Sequence, residues 1–256
     1  MNNKPSAGRL KVVRIRGGER TEEYDCVTSE VSLKIYINGE VSLSVMCSGH
    51  SREYLVYGLL FSLGIIEKIE DIESVSLWGG YCRVETALKK EIPRFVKTLT
   101  SGCGNTFSFV SALPDKKKFS VSGLSVRREK IIGLMKALRG KSESYKKTGG
   151  THSAALSDGE DLLFFGEDIG RHNAFDRVAG EALAGRVSLS GKILLISGRI
   201  SSEIMAKCIR AGIAVIASRS APTDYAVKLA GYYGITVIGF LRGDRFNIYS
   251  HSGRIL

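Results

Sequence analysis

From Leu10 to Val84 apolar and polar positions alternate in short runs, the two-residue rhythm of strands with one covered face. RLKVVRIR alternates, and VSLKIYINGEVSLSVM sets Asn38 and Gly39 between two β-rich runs, which predicts a hairpin with a type I′ turn. The spacing changes in SREYLVYGLLFSLGII. There Tyr54, Leu55, Leu59 and Leu63 recur at near-helical intervals, and Gly64 stands where a helix would stop. SVSLWGGYCRVET reads as a second strand pair, so residues 1–97 are expected to form a small α+β domain, a sheet with one helix.

Residues 98–120 have little periodicity and read as a linker. Beyond them, SVRREKIIGLMKALRG carries a helical stripe of Ile131, Leu134, Met135 and Leu138 that ends at Gly140. From Thr148 strands alternate with helices. HSAAL and DLLFFGE flank an SDG turn, GRHNAFDRVAGEALAG and SSEIMAKCIRAG read as helices, and KILLIS, IAVIAS, ITVIGF and FNIYS as strands. Such alternation implies right-handed crossovers and a parallel or mixed sheet covered on both faces, a three-layer α/β domain over residues 121–256.

Composition changes this picture little. The 256 residues are 43% hydrophobic and 25% charged, which is globular. MNNKPSAGRL lacks an apolar core, and no apolar run approaches the length of a membrane span, so the chain is expected to be cytosolic with no membrane partner. Charge matters more: 37 Lys plus Arg against 26 Asp plus Glu leave a net +11, which favours anionic partners such as nucleotides, acidic proteins or RNA. The charge runs DKKKF and SYKKTGG read as solvated loops.

The 5 cysteines include no C-x-x-C pair and fit neither a disulfide framework nor a zinc knuckle. Cys26, Cys82 and Cys208 sit in strand- or helix-like segments and read as core, and Cys47 stands at a strand end. Cys103 differs. In TLTSGCGNTFS it lies between two glycines in a run of small polar residues, as a presented thiol would, or as an ordinary loop residue.

Strand-to-helix junctions are where open α/β sheets collect ligands. Two here look alike: Ser197, Gly198 and Arg199 lead to Ser201 and Ser202, while Ser218, Arg219 and Ser220 lead to Pro222, read as a first-turn residue. Each brings an arginine and hydroxyls to a helix start, a phosphate cradle or a plain helix cap. A third cluster is GEDIGRHNAFDRV, where Glu167, Asp168, Arg171, His172, Asn173 and Asp176 exceed what a cap requires. A fourth is FLRGDRFNIYSH, pairing Arg242 and Arg245 across Gly243 and Asp244 to hold a pyrophosphate or guanine, or to form a charged hairpin. Zinc-deaminase, phosphate-loop, metalloprotease and serine-hydrolase motifs are absent, leaving the thiol as the reactive candidate.

KTGGTHSAAL, EDIGRHNAFDRVAGEAL, KILLISGRISSEIMAKCIRAGIAVIASRSAPTDYAVKLA and GFLRGDRFNIYSH, together with TSGCG, closely resemble the formate dehydrogenase accessory sulfurtransferases of the FdhD/NarQ type. The resemblance implies a cytidine-deaminase-like α/β/α domain without catalytic zinc, joined to a smaller β-containing domain. It implies a cytoplasmic homodimer that takes sulfur as a persulfide from a cysteine desulfurase. It further implies delivery of that sulfur to the molybdenum or tungsten bis(molybdopterin guanine dinucleotide) cofactor, for the catalytic subunit of formate dehydrogenase, with no nucleic-acid partner. Cys103 falls on the family's persulfide cysteine, and Thr106 stands where many relatives carry a second one, which favours a one-cysteine relay. The family pattern places cofactor contact at Phe240, Leu241, Arg242, Gly243, Asp244 and Arg245, with Arg171, His172, Arg199 and Arg219 as further contacts. Rival readings are a noncatalytic nucleotide- or RNA-binding module, which the charge suits, and a relict nucleotide hydrolase or deaminase.

Overall fold

A computed structural model of the chain describes residues 7–87, 113, 115 and 124–256. Cys103 and nearly all of the expected linker lie outside the described residues. Strands β1 (Ala7–Arg16) and β2 (Glu19–Thr28) pair only with each other as an antiparallel ribbon, so RLKVVRIR is a strand but not part of the small sheet. That sheet comprises β3 (Val31–Ile37), β4 (Glu40–Cys47), β5 (Ile72–Trp78) and β6 (Tyr81–Thr86) in the order β4-β3-β6-β5. Asn38 and Gly39 take φ of 51° and 87°, the two left-handed conformations a type I′ turn needs. Helix α1 (Arg52–Leu63) ends at Gly64 as its pattern predicts and covers the inner face of this sheet through Leu55, Leu59 and Leu60.

The remaining chain builds a six-stranded mixed sheet. Its elements are α2 (Arg128–Lys141), α3 (Glu143–Thr148), β7 (His152–Ser157), β8 (Leu162–Asp168), α4 (Arg171–Ala184), β9 (Ile193–Ile196), α5 (Ser202–Ala211), β10 (Val215–Ser218), α6 (Asp224–Tyr233), β11 (Thr236–Arg242) and β12 (Arg245–Ser250). The order is β12-β11-β10-β9-β7-β8, with β9, β10 and β11 parallel and the outer pairs antiparallel. Alternation sorts the side chains by face. Leu156, Leu194, Ile196, Ile216 and Val237 join the core shared with α4, α5 and α6, while Ala155, Ile193, Leu195, Val215 and Ile238 meet the Ile131, Leu134, Met135 and Leu138 stripe of α2. These are the three expected layers.

Local details differ from expectation. Helix α2 runs past Gly140 to Lys141, and Pro222 precedes the cap of α6 because Thr223 accepts the Ala226 amide. Most of SYKKTGG is no solvated loop, since Ser144–Thr148 belong to α3. Behind α4 the two halves meet closely. A Cβ on Gly58 of α1 would overlap the Asp176 carbonyl of α4, and one on Gly180 of α4 would overlap the Tyr54 carbonyl of α1. Backbone therefore lies directly on backbone where the helices cross. One apolar core consequently runs from Leu33, Ile35 and Leu43 through α1 to Phe175, Val178 and Ile204.

Candidate functional site: a basic cleft at the ends of the parallel strands

At the carboxyl ends of β9, β10 and β11 the chain leaves a cleft of about 800 Å³, within the range of small-molecule sites. Its walls come from the end of α2 (Lys136, Arg139), from α3 (Tyr145, Lys146), from the start of β7 (His152, Ser153) and from the strand ends (Ser197, Arg219, Ser220, Arg242). Among the described residues the lining carries cations from Lys136, Arg139, Lys146, Arg219 and Arg242 and no carboxylate. Such a surface selects an anion.

The arginines are placed rather than scattered. Arg242 Nε donates to the Arg219 carbonyl at 3.0 Å, which ties the end of β11 to the end of β10. Partial burial, then the nearby Arg139 and Arg242, holds the Arg219 guanidinium below its ordinary pKa, and its Nε is buried without a hydrogen-bond partner. Like charges crowded together with an unused donor suit an anion, and guanidinium engages oxyanions through paired N–H groups. On the opposite wall Ser197 Oγ accepts the Ser153 amide at 2.9 Å and lies 3.3 Å from His152 Nδ1. Burial, with Arg171 and His172 nearby, lowers the His152 pKa, so the ring is neutral at neutral pH.

The polar cluster GEDIGRHNAFDRV has a different task. Glu167 is buried and accepts the Ser144 and Tyr145 amides at 3.0 Å each and the Thr151 hydroxyl at 3.1 Å, capping α3 and thereby holding one wall of the cleft. Asp168 and Arg177, 0% and 3% exposed, form an ion pair at 2.7 Å. Arg177 then donates to the carbonyls of Ser48, His50 and Ser51, and Asn173 donates to that of Met46 at 2.8 Å. Asp176 accepts from Ser62 and Lys207, each at 2.6 Å. These groups bind α4 to the loop after β4, to α1 and to α5.

The expected contacts divide accordingly. Arg219 and Arg242 line the cleft. Arg171 lies beside it, its side chain and His152 Nδ1 both against Gly198. His172 turns instead to Glu203, with 3.0 Å between Nε2 and Oε2 but without hydrogen-bond alignment, and burial is the main cause of its lowered pKa. Arg199 is exposed and is not among the cleft's lining. Phe240 is 38% exposed at a φ of 54°, with the Arg242 guanidinium 5.9 Å from its ring. Leu241 is 1% exposed, because strand alternation turns its side chain into the core against α2. Gly243 and Asp244 form the turn between β11 and β12, Arg245 opens β12, and none of the three lines the cleft. Lys136 and Arg139 are not among the sequence candidates, and Tyr145 and Lys146 belong to SYKKTGG, which the sequence presents as a solvated loop. The signal for them was the basic density of KALRGKSESYKK directly before β7.

Three of the four described cysteines offer little reactivity. Burial raises the thiol pKa of Cys47 to about 12 and of Cys82 to about 11, and lifts that of Cys208 as well. Cys26 is half-buried on the β1–β2 ribbon rather than in the core.

Comparison with known proteins places this architecture. The profile of the FdhD/NarQ family matches residues 28–256, nearly the whole fold. The chain belongs to the FdhD/NarQ family. It is 37% identical to the sulfur carrier protein FdhD of Geobacillus kaustophilus, over 98% of each chain, and 39% identical to that of Staphylococcus aureus strain MRSA252, over 100% of this chain and 98% of the other. A crystal structure described as a candidate formate dehydrogenase accessory protein from Desulfotalea psychrophila superimposes with a TM-score of 0.81 at 28% identity, covering 98% of this chain and 100% of that one. Family membership thus extends across both halves, and the basic cleft lies wholly within the matched segment.

Proposed function

We propose that this chain is a sulfur carrier for formate dehydrogenase maturation, with Cys103 as the thiol that bears the sulfur and the basic cleft as the seat of the nucleotide part of the molybdenum cofactor. The observation that carries this reading is the cleft itself: clustered guanidinium groups without a carboxylate, as the pyrophosphate of a guanine dinucleotide would require. Family membership and the names of the relatives support the sulfur chemistry. The buried cysteines narrow the choice, because a relay needs a thiolate and Cys47, Cys82 and Cys208 are held protonated, which leaves Cys26 on the ribbon and Cys103.

In the relay, the Cys103 thiolate attacks the terminal sulfur of a persulfide on a cysteine desulfurase. A new sulfur–sulfur bond forms on Cys103, the donor's bond breaks, and the donor cysteine leaves as a thiolate. The cofactor is the recipient and therefore cargo, docked by Arg219, Arg242 and Arg139 while sulfur is handed over. A cytidine-deaminase-like α/β/α fold, a cytoplasmic homodimer and direct contact with the formate dehydrogenase catalytic subunit belong to the same proposal. Among the described residues no helix is long and apolar enough to cross a membrane.

Two measurements test it together. Titration with GDP should show saturable binding that Arg219→Gln plus Arg242→Gln weakens by about a hundredfold, as the loss of two charge-assisted contacts predicts. Cells whose only copy carries Cys103→Ser should lose formate oxidation. Unchanged GDP binding would remove the cleft from the account, and undiminished formate oxidation would remove the thiol.

A further inference from the structure

The four-stranded sheet has one buried face and one that nothing among the described residues covers. Leu33, Ile35, Cys82 and Val84 turn inward and are 0% exposed. Their neighbours turn outward, and instead of the usual polar cover they include three aromatic rings. Tyr36 and Tyr81 lie 6.3 Å apart between centroids, and Tyr81 stacks at 6.0 Å and 21° on Trp78. Trp78 is 47% exposed and Tyr81 39%. With Arg83 these rings line a shallow groove of about 350 Å³, on a different sheet from the one that ends in the basic cleft.

Two cations sit on the rings. The Arg83 guanidinium lies 6.0 Å from the Trp78 ring and the Lys34 ammonium 5.9 Å from that of Tyr81. No ion pair or hydrogen bond engages either side chain among the described residues. A guanidinium laid on an indole keeps its N–H edge free and fixed in direction, the geometry that grips a carboxylate with two parallel bonds. Tryptophan, tyrosine and arginine together are also the side chains that dominate the centres of protein interfaces.

We propose that this face docks a segment of a partner protein in which a carboxylate side chain engages Arg83 and a neighbouring apolar side chain lies on Tyr36, Tyr81 and Trp78. Charge complementarity chooses the occupant. A net charge of +11 draws acidic partners, and a single carboxylate satisfies Arg83. Single-stranded nucleic acid fits less well, because stacking platforms for it run beside a cationic groove that tracks the phosphates. Here Lys34 and Arg83 are the cations of the face, their positions already occupy ring surfaces, and Glu85 follows two residues after Arg83 on the same face of β6.

Trp78 is the chain's single tryptophan, so its emission reports on this groove and nowhere else. The full-length protein is titrated with a ten-residue peptide alternating aspartate and leucine, with its asparagine counterpart, and with a ten-nucleotide oligouridylate. The aspartate peptide should shift Trp78 emission to shorter wavelength and saturate. The asparagine peptide should bind about tenfold more weakly, as should the aspartate peptide to Arg83→Gln, an exposed change that leaves the circular dichroism spectrum intact. Tyr81→Ser should lose most of the response. The proposal is overturned if the aspartate peptide produces no saturable shift up to millimolar concentration, if both peptides respond alike, or if oligouridylate saturates the signal at lower concentration.

Discussion

Two clusters of charge in this fold look equally functional in the sequence, and the structure gives them opposite roles. In the belt along α4, Asp168 with Arg177 and Asp176 with Lys207 are between 0% and 3% exposed, and each carboxylate and cation has its partner. In the cleft, among the described residues, Arg219 has a buried Nε with no hydrogen-bond partner and no carboxylate lines the surface. Polar groups that answer one another hold a fold together, whereas polar groups of one sign around open space await a ligand. The contrast lies in satisfaction, not in residue type.

Breaking the belt should have the largest effect. Lys207→Met leaves Asp176 buried and unpaired and should cost about 3–5 kcal/mol of stability in urea unfolding, while Lys207→Met combined with Asp176→Leu should recover most of it. A loss below about 1 kcal/mol in the single variant would mean that the pair is not sealed from water. Next comes the helix crossing. Gly58→Ala should cost about 1–3 kcal/mol, because its methyl meets the Asp176 carbonyl and α1 must move away from α4. A Gly58→Ala protein as stable as the parent would contradict the direct backbone contact.

The cleft should behave in the reverse manner. Arg242→Ala should weaken GDP binding by about tenfold, or ~1.4 kcal/mol, and shift unfolding stability by no more than about 0.5 kcal/mol. An unfolding loss as large as that of Lys207→Met would erase the distinction between the two regions.

The last effect is one of pH. Burial and the Arg177 charge lower the His50 pKa from 6.5 to about 3, so below pH 6.5 the unfolded chain takes up a proton that the folded one refuses. The stability due to neutral His50 is thus full above pH 6.5 and is lost progressively towards pH 3. The lowered pKa values of His152 and His172 act in the same direction. The thermal midpoint should therefore fall on acidification from pH 7, and less steeply in His50→Asn, where part of the dependence remains with the other two rings.

Local signals are legible in the sequence. Asn38–Gly39, the Gly64 stop of α1, the buried stripe of α2 and the strand–helix alternation after Thr148 each depend on residues close together in the chain, and each is present. Long-range partners were invisible. Helix α3 exists in a lysine-rich stretch because Glu167, more than 20 residues away, accepts two of its first amides. The belt along α4 looked like a site because its partners, the carbonyls of Met46, Ser48 and Ser51, are over 120 positions upstream. Leu241 was grouped with its polar neighbours, whereas the alternation of β11 sends it inward. Arg219 and Arg242 were legible because strand ends beside helix starts are where α/β sheets gather ligands.

The central claim is that sulfur travels on Cys103, and mass spectrometry tests it most directly. The protein is incubated with a cysteine desulfurase and free cysteine, alkylated without reduction, and digested. The account predicts a mass gain of one sulfur atom on the peptide that contains Cys103, abolished in Cys103→Ser and unaffected by Cys47→Ser or Cys208→Ser. A persulfide on any other cysteine, with the Cys103 peptide unmodified, would contradict it.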